Sequence, residues 1–232
     1  MVFVVAEIGV NWDGDFELAK EMMQNAKNAG CDAVKFQAYR EELVKDHPEH
    51  LRLEKATISP KNIEMINKIA NEVGIEWFCT PMYPGAVDFL NNYVKRFKIR
   101  VYDGKPLFEN KDSELINKVL KTGKQVIISS QTSPRNTKYF DNKQISWLYC
   151  VPKYPCNLND LDFRNIQDFD GYSNHCPHFL APLTAVSLGA KIVEFHITSD
   201  KSKNFIDNNV SFDYKEMTNL VKLIRMTETI VR

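Results

Sequence analysis

The sequence predicts an α/β fold, a (β/α)8 or TIM barrel that forms a single domain over residues 1–232. Short apolar runs rich in Val, Ile and Phe alternate with amphipathic stretches, as buried parallel strands alternate with helices. Eight such strand–helix units in 232 residues match a barrel with few insertions. The runs predicted as strands are Phe3–Glu7, Ala33–Gln37, Ile75–Thr80, Phe97–Val101, Gln125–Ser129, Ile145–Cys150, Phe169–Tyr172 and Lys191–His196.

Capping residues and apolar spacing predict the helices between these strands. Asp15 is suited to cap the first helix and Gly30 to end it. Ser59-Pro60 is a start signal for a helix that Gly74 ends, because proline suits the first helical position. The last helix is predicted to bury one face, formed by Met217, Leu220, Val221 and Ile224.

The polar stretch Tyr39–Thr57 interrupts this alternation after the second strand. We predict a loop that lies over the carboxyl-terminal face of the barrel and covers a site there. A doubly wound open sheet is the alternative fold. That fold usually has a glycine-rich first turn for a nucleotide, and the sequence contains no GxGxxG motif.

The composition excludes several classes of partner. The 30 basic and 30 acidic side chains cancel, so no long-range field favours nucleic acid or an anionic membrane. No apolar run reaches the ~18 residues of a membrane span. The five cysteines are odd in number and include no CxxC pair, which argues against a disulfide framework. We therefore expect a cytoplasmic protein that binds neither nucleic acid nor membrane.

Polar side chains stand at or just beyond the carboxyl ends of seven of the eight predicted strands. In a barrel these ends meet at one mouth, where catalytic groups sit. Burying unpaired charges is costly, so this coincidence indicates a site rather than separate rim residues. The residues are Glu7, Asn11, Lys35, Gln37, Thr80, Lys98, Asp103, Ser129, Ser173, Asn174, His175, Glu194 and His196.

The types of side chain at these ends narrow the chemistry. Two lysines and three hydroxyl groups suit the phosphate or carboxylate of a small ligand; they belong to Lys35, Lys98, Thr80, Ser129 and Ser173. His175 and His196 follow adjacent predicted strands and can supply two neutral nitrogen ligands to a divalent metal with open positions. The other histidines are interpreted as surface residues; they are His47, His50 and His178.

Taken in order, the motifs resemble those of the sialic acid synthase (N-acetylneuraminate synthase) family, including its relatives for legionaminate- and pseudaminate-type sugars. The match covers essentially the whole chain. The motifs are AEIGVN at 6–11, VKFQ at 34–37, CTP at 79–81, FKI at 97–99, VIIS at 126–129, YP at 154–155, GYSNH at 171–175 and EFH at 194–196, followed by Asp207 and SFD at 211–213.

The resemblance implies a barrel that condenses phosphoenolpyruvate with the aldehyde of an aldose or N-acetyl amino sugar. The products are a 2-keto-3-deoxy sugar acid and phosphate. It also implies a divalent metal, with Mn²⁺ expected and Mg²⁺ or Co²⁺ as alternatives. The metal ligands implied are His175 and His196, and the catalytic residues implied are Glu7, Lys98 and Asp103.

The remaining matched residues fall where the family contacts its substrates. The phosphoenolpyruvate cradle corresponds to Lys35, Thr80, Lys98, Ser129 and Ser173. Contacts with the sugar or the metal-bound water correspond to Glu7, Gln37, Tyr154 and Asp207. Asp103 stands where the family has an acidic residue that handles protons.

The chain departs from the family pattern at several positions. Val101, Asn174 and Trp12 stand where the family usually has Ser, Asp and His. We also expect the chain to lack the family's C-terminal antifreeze-like domain, and therefore expect a homodimer or a separate antifreeze-like subunit as partner.

Two other functions are compatible with the same residues. A Schiff-base aldolase would use Lys35 or Lys98 as nucleophile, but that leaves both candidate metal-binding histidines unexplained. A non-catalytic barrel would bind a sugar or a partner protein, and the departures from the family pattern favour it.

Overall fold

The computed structural model describes residues 1–231, which form one closed barrel of eight parallel strands in chain order. The prediction of a single-domain (β/α)8 barrel is confirmed, and the open sheet is excluded because β8 pairs with β1. The strands are β1 Phe3–Gly9, β2 Ala33–Ala38, β3 Glu76–Pro81, β4 Arg96–Ile99, β5 Gln125–Ser130, β6 Ile145–Tyr149, β7 Gly171–Asn174 and β8 Ile192–His196.

The register of the strands brings their polar residues to one end of the barrel. Glu7 of β1 lies opposite Lys35 of β2 on one side and His196 of β8 on the other. Ser173 of β7 lies opposite Glu194 of β8. Because residues two apart share a face of a strand, these side chains point into the same end of the barrel.

The described residues form eight α-helices, which are not distributed one per strand. The connections after β5 and β6 contain only short 3-10 turns, so the expectation of a helix in every unit is wrong at these two places. The helices are α1 Phe16–Ala29, α2 His50–Ala56, α3 Ile63–Val73, α4 Pro84–Leu90, α5 Val101–Phe108, α6 Glu114–Lys121, α7 Leu180–Ser187 and α8 Tyr214–Ile230.

Aromatic packing covers the barrel where the helix after β6 is missing. Tyr149 and Tyr172, from β6 and β7, both contact Phe163 of the connecting segment, with ring centroids 5.5 and 5.2 Å apart. Phe169 also packs on Tyr149 at 5.6 Å. Each aromatic ring buries a large apolar surface, so these rings cover this side of the barrel without a helix.

The predicted caps of α1 and the predicted buried face of α8 are confirmed. The Asp15 carboxylate accepts hydrogen bonds from two backbone amides of the first turn of α1, and Gly30 ends the helix with a φ of 90°. All four residues of the predicted apolar face of α8 are buried: Met217, Leu220, Val221 and Ile224.

Several predicted boundaries differ from the structure; strand β7, for example, is Gly171–Asn174 rather than Phe169–Tyr172. Helix α3 begins at Ile63 rather than Ser59-Pro60, because the Asn62 side chain accepts from the Ser59 amide and donates to the Thr57 carbonyl, which closes a turn first. Strand β4 ends at Ile99, and Val101 already belongs to α5. The bond from the Gly104 amide to the Arg100 carbonyl, 3.0 Å, starts that helix.

The segment Tyr39–Thr57 lies over the mouth but is more ordered than a loop, because it contains α2. Two buried aromatic donors hold the carboxyl end of this helix. The Trp12 indole donates to the Ala56 carbonyl at 2.8 Å, and the Tyr39 hydroxyl donates to the Leu53 carbonyl at 2.6 Å. These bonds satisfy carbonyls that a helix end otherwise leaves without partners.

None of the helices described is long and apolar enough to cross a membrane.

Candidate active site

The carboxyl ends of the strands enclose a cavity of about 310 Å³. Eleven of the twelve site residues predicted from the sequence line it: Glu7, Lys35, Gln37, Thr80, Lys98, Ser129, Tyr154, Ser173, His175, His196 and Asp207. The twelfth, Asp103, lies in the first turn of α5 and pairs with Arg100, which does line the cavity.

A network of four buried charges, here called the charged floor, consists of Glu7, Lys35, Lys98 and Glu194. Lys35 Nζ lies 2.8 Å from Glu7 Oε2 and 3.8 Å from Glu194 Oε1. Lys98 Nζ donates to the same Glu194 oxygen at 2.8 Å. The four side chains come from four different strands and are at most 6% exposed. Each charge is therefore compensated by another strand of the barrel.

The proton equilibria of the charged floor follow from this pairing. Burial alone would lower the pKa of Lys35, but Glu194 and Glu7 together raise it above its ordinary value. Burial also lowers the pKa of Lys98, and Glu194 offsets only part of that effect. Although burial opposes ionisation of Glu194, Lys35 and Lys98 hold its pKa below the usual range.

Hydroxyl groups extend the charged floor. Lys35 Nζ donates to Thr80 Oγ1 at 3.2 Å, and Ser173 Oγ donates to Glu194 Oε1 at 2.9 Å. Ser129 Oγ and Glu194 Oε2 are buried without a hydrogen-bond partner. Buried polar atoms are normally paired, so unpaired ones in a cavity fit a polar ligand.

The two candidate metal ligands lie next to each other, at the carboxyl ends of the adjacent strands β7 and β8, with ring centroids 5.4 Å apart. His175 Nδ1 lies 2.9 Å from the Val151 carbonyl, and its Nε2 lies 2.8 Å from the Tyr154 hydroxyl. A carbonyl accepts only, so Nδ1 carries the proton, and the Nε2 lone pair accepts from the Tyr154 hydroxyl, which a metal ion on Nε2 would displace. Burial lowers the pKa of His175, which keeps the ring neutral.

The Asp207 carboxylate lies beside the imidazole ring of His196. Its Oδ2 lies 3.2 Å from His196 Nδ1, although the two groups are not aligned as a hydrogen bond. Burial opposes ionisation of Asp207, but His196, His175 and Lys35 lower its pKa below the ordinary value. The Asp207 amide donates to Asn11 Oδ1 at 3.0 Å, which joins the loops after β1 and β8.

The donor set fits a metal held by two histidines. Within residues 1–231, no three His, Cys, Asp or Glu side chains are grouped so that they could hold a metal ion. His175 and His196 offer two imidazole nitrogens, and a metal ion held by them would take water or substrate oxygens as its other ligands.

Gly9 makes room for the polar groups beside the histidines. Its φ is 55°, and a Cβ there would lie 3.2 to 3.3 Å from side-chain atoms of Glu7, Gln37 and Asp207. Gln37 Nε2 donates to Glu7 Oε1 at 2.9 Å. Both the left-handed backbone and the crowding therefore require glycine at this position.

Eleven residues that line the cavity are absent from the predicted set of site residues, and three of them carry a charge or a thiol: Arg100, Cys150 and Glu194. Glu194 could have been added from its spacing, because it lies two residues before His196 on the same strand face. Of the histidines interpreted as surface residues, His47 and His178 are exposed, yet His47 also lines the outer cavity.

The strand ends of this closed parallel barrel converge on a charged cavity that contains two histidines. These features are typical of TIM barrels with a small-molecule site at the carboxyl-terminal face. The family model of the NeuB family matches residues 22–232, and the chain belongs to that family. The resemblance to the sialic acid synthase family is thereby confirmed.

Individual relatives agree with this assignment. An uncharacterized protein of Methanocaldococcus jannaschii is 34% identical over 97% of this chain and 71% of that protein. The N,N'-diacetyllegionaminic acid synthase of Legionella pneumophila is 30% identical over 99% of this chain and 73% of its own length. The solved structure of N-acetylneuraminic acid (sialic acid) synthetase from Leptospira borgpetersenii is 28% identical, with a TM-score of 0.86, covering 99% of this chain and 85% of that chain.

Proposed function

We propose that this chain condenses phosphoenolpyruvate with the aldehyde of an aldose or N-acetyl amino sugar, in a metal-dependent reaction that gives a 2-keto-3-deoxy sugar acid and phosphate. The observation that carries the proposal is the meeting of two buried lysines and two neighbouring histidines in one cavity. Relatives named as sugar acid synthases support the class of product.

Charge balance supports the need for a metal. Among the described side chains that line the cavity, the cationic groups of Lys35, Lys98 and Arg100 equal in number the carboxylates of Glu7, Glu194 and Asp207. Phosphoenolpyruvate brings a carboxylate and a phosphate into this balanced site. A divalent cation on His175 and His196, which we expect to be Mn²⁺, with Mg²⁺ or Co²⁺ as alternatives, would supply positive charge and polarise the aldehyde oxygen.

The residues of the chain account for the other steps. Lys35 and Lys98, with Thr80, Ser129 and Ser173, hold the two anionic groups and place C3 of phosphoenolpyruvate against the aldehyde carbon. The C3–C1 bond forms, the aldehyde oxygen takes a proton, and C2 becomes cationic. Water adds to C2 and loses a proton to the carboxylate of Glu7 or Asp103. The C2–oxygen bond to phosphate then breaks while the proton of the new C2 hydroxyl passes to the departing phosphate, which leaves the 2-keto group.

Phosphate release tests the proposal. The wild-type protein, supplied with Mn²⁺ and phosphoenolpyruvate, should release phosphate only when an aldose from a panel is added. His196→Ala should abolish the release, because it removes one of the two neighbouring imidazoles. His178→Ala is the matched control, because His178 is exposed and does not line the cavity. No release with any sugar, from folded protein that binds Mn²⁺, would favour a binding barrel.

A Schiff-base aldolase is the second candidate, and one observation favours it. Burial lowers the pKa of Lys98, which increases the fraction of neutral, nucleophilic amine. Borohydride treatment in the presence of pyruvate separates the two functions. The condensing enzyme should gain no covalent adduct, whereas the aldolase would be labelled at Lys98 or Lys35.

We further propose that the chain works in the cytoplasm, as a homodimer or with a separate antifreeze-like subunit. All five cysteines are free and buried, which supports a reducing compartment. Light scattering of the purified chain, alone and after incubation with cell extract, measures the assembly directly. A monomer under both conditions would contradict the proposed assembly.

A further inference from the structure

The cations of the cavity differ in how firmly they are already engaged. Lys35 and Lys98 are 5% and 3% exposed and are held by carboxylates from other strands of the barrel. Arg100 is 39% exposed, and its partner Asp103 comes from the next turn of its own segment. Arg100 is therefore the cavity cation that can change partner without disturbing the barrel wall.

The Arg100 side chain is also directed into the cavity. It follows Lys98 by two residues, and its extended backbone, with φ of −75° and ψ of 165°, keeps it on the Lys98 side of the strand. Its side chain lines the cavity together with the two residues that follow it. The planar guanidinium offers two parallel donors to a carboxylate or phosphate, and Asp103 now accepts from them.

We propose that Arg100 binds the phosphate group of the substrate at the mouth of the cavity and releases Asp103 as it does so. The inference rests on the proposed function for the identity of the ligand. A phosphate has more charge and more acceptor oxygens than the Asp103 carboxylate, so it competes well for the guanidinium. The released carboxylate is then next to the cavity, where it can accept the proton of the attacking water.

Calorimetric titration of the full chain with phosphoenolpyruvate, inorganic phosphate and pyruvate, in Mn²⁺ and without sugar, tests this inference. Loss of a charged hydrogen bond should raise the Kd of Arg100→Ala for phosphoenolpyruvate and phosphate about tenfold. Its Kd for pyruvate should not change. Arg100→Lys keeps the charge but loses the paired donors. Its Kd for phosphoenolpyruvate and phosphate should lie between those of the wild type and Arg100→Ala.

Arg40→Ala is the matched control. Arg40 is an exposed cation two residues after strand β2, where it packs over the Tyr83 ring at 4.3 Å and does not line the cavity. It should leave all three Kd values unchanged. Wild-type Kd values for phosphate and phosphoenolpyruvate in Arg100→Ala, or no binding of either ligand by the wild type, would overturn the inference.

The titration, taken together with the phosphate-release assay, separates the inference from the proposed function. Weaker binding by Arg100→Ala in a protein that never releases phosphate supports the role of Arg100 and contradicts the condensation. Phosphate release by the wild type, with unchanged ligand binding in Arg100→Ala, supports the condensation and contradicts the role of Arg100.

Discussion

The charged floor and the outer rim of the cavity are built in opposite ways. The floor side chains are at most 6% exposed, and their partners come from other strands. The rim, formed by Arg100, Tyr102 and Tyr154, is 39% to 66% exposed, and Arg100 has its ion-pair partner within its own segment. The difference teaches that closure of the barrel sets the floor, whereas the local sequence sets the ion pair of Arg100 at the rim. Changes to the floor should therefore cost stability, and changes to the rim should alter ligand selection.

The largest effect should come from breaking the floor. Glu194→Ala leaves Lys98 buried without its carboxylate, and breaking a buried ion pair by removing one partner costs about 3–5 kcal/mol. Urea denaturation measures the loss. Glu72→Ala is the control, because its pair with Lys20 is exposed on both sides and should change stability by less than about 1 kcal/mol. Equal losses for both variants would show that the floor is no more tightly held than the surface.

An intermediate effect should come from the helix that borders the mouth. Trp12→Phe leaves the Ala56 carbonyl of α2 without its donor, which should cost about 1–3 kcal/mol of stability. It should also raise the KM for the sugar, since Leu53 of α2 lines the cavity. Trp77→Phe loses a similar bond, to Asn67, away from α2 and should leave the KM unchanged. A KM that moves equally in both variants would contradict a specific role for the α2 anchor.

A smaller effect should appear in the pH profile of Arg100→Ala. Burial raises the pKa of Asp103 above its ordinary value, and Arg100 opposes that rise. Without Arg100 the pKa rises further, so more Asp103 is protonated at a given pH and less is available as a base. The acid limb of kcat/KM should therefore move to higher pH. Asp103→Asn should lack this limb, and an unmoved limb in Arg100→Ala would assign it to another group.

The smallest effect should come from the most exposed residue of the rim. Tyr102 is 66% exposed, and Tyr102→Phe removes a hydroxyl with no buried partner. Stability should change by no more than about 0.5 kcal/mol in thermal denaturation. A loss as large as that of Trp12→Phe would contradict the division between floor and rim.

Most of the fold and much of the site could be predicted from local patterns. The eight apolar runs correspond to the eight strands, because buried parallel strands leave a continuous apolar signal. Lys35 with Gln37, and Glu194 with His196, each share a strand face by the period of two. Parallel strands then bring their carboxyl ends to one edge, so residues far apart in sequence line the same cavity.

The rest depends on tertiary contacts that no local pattern reveals. The pairing of Lys98 with Glu194 joins residues 96 positions apart and requires the register of the whole barrel. The missing helix after β6 was not predictable, because the aromatic packing of Tyr149 on Phe163 takes the place of a helix and has no helical spacing. Asp103 lies beyond the strand end, where its direction is set by α5 and not by the strand period.

The anchoring of α2 affects the route by which substrates enter the site and products leave it. The carboxyl end of this helix is anchored at the mouth by hydrogen bonds from Trp12 and Tyr39. We therefore expect reactants to enter and products to leave on the opposite side, between the exposed rings of Tyr102 and Tyr154. An acceptor sugar with a bulky substituent would then be tolerated or refused by what it meets along that route, before it reaches the buried charges.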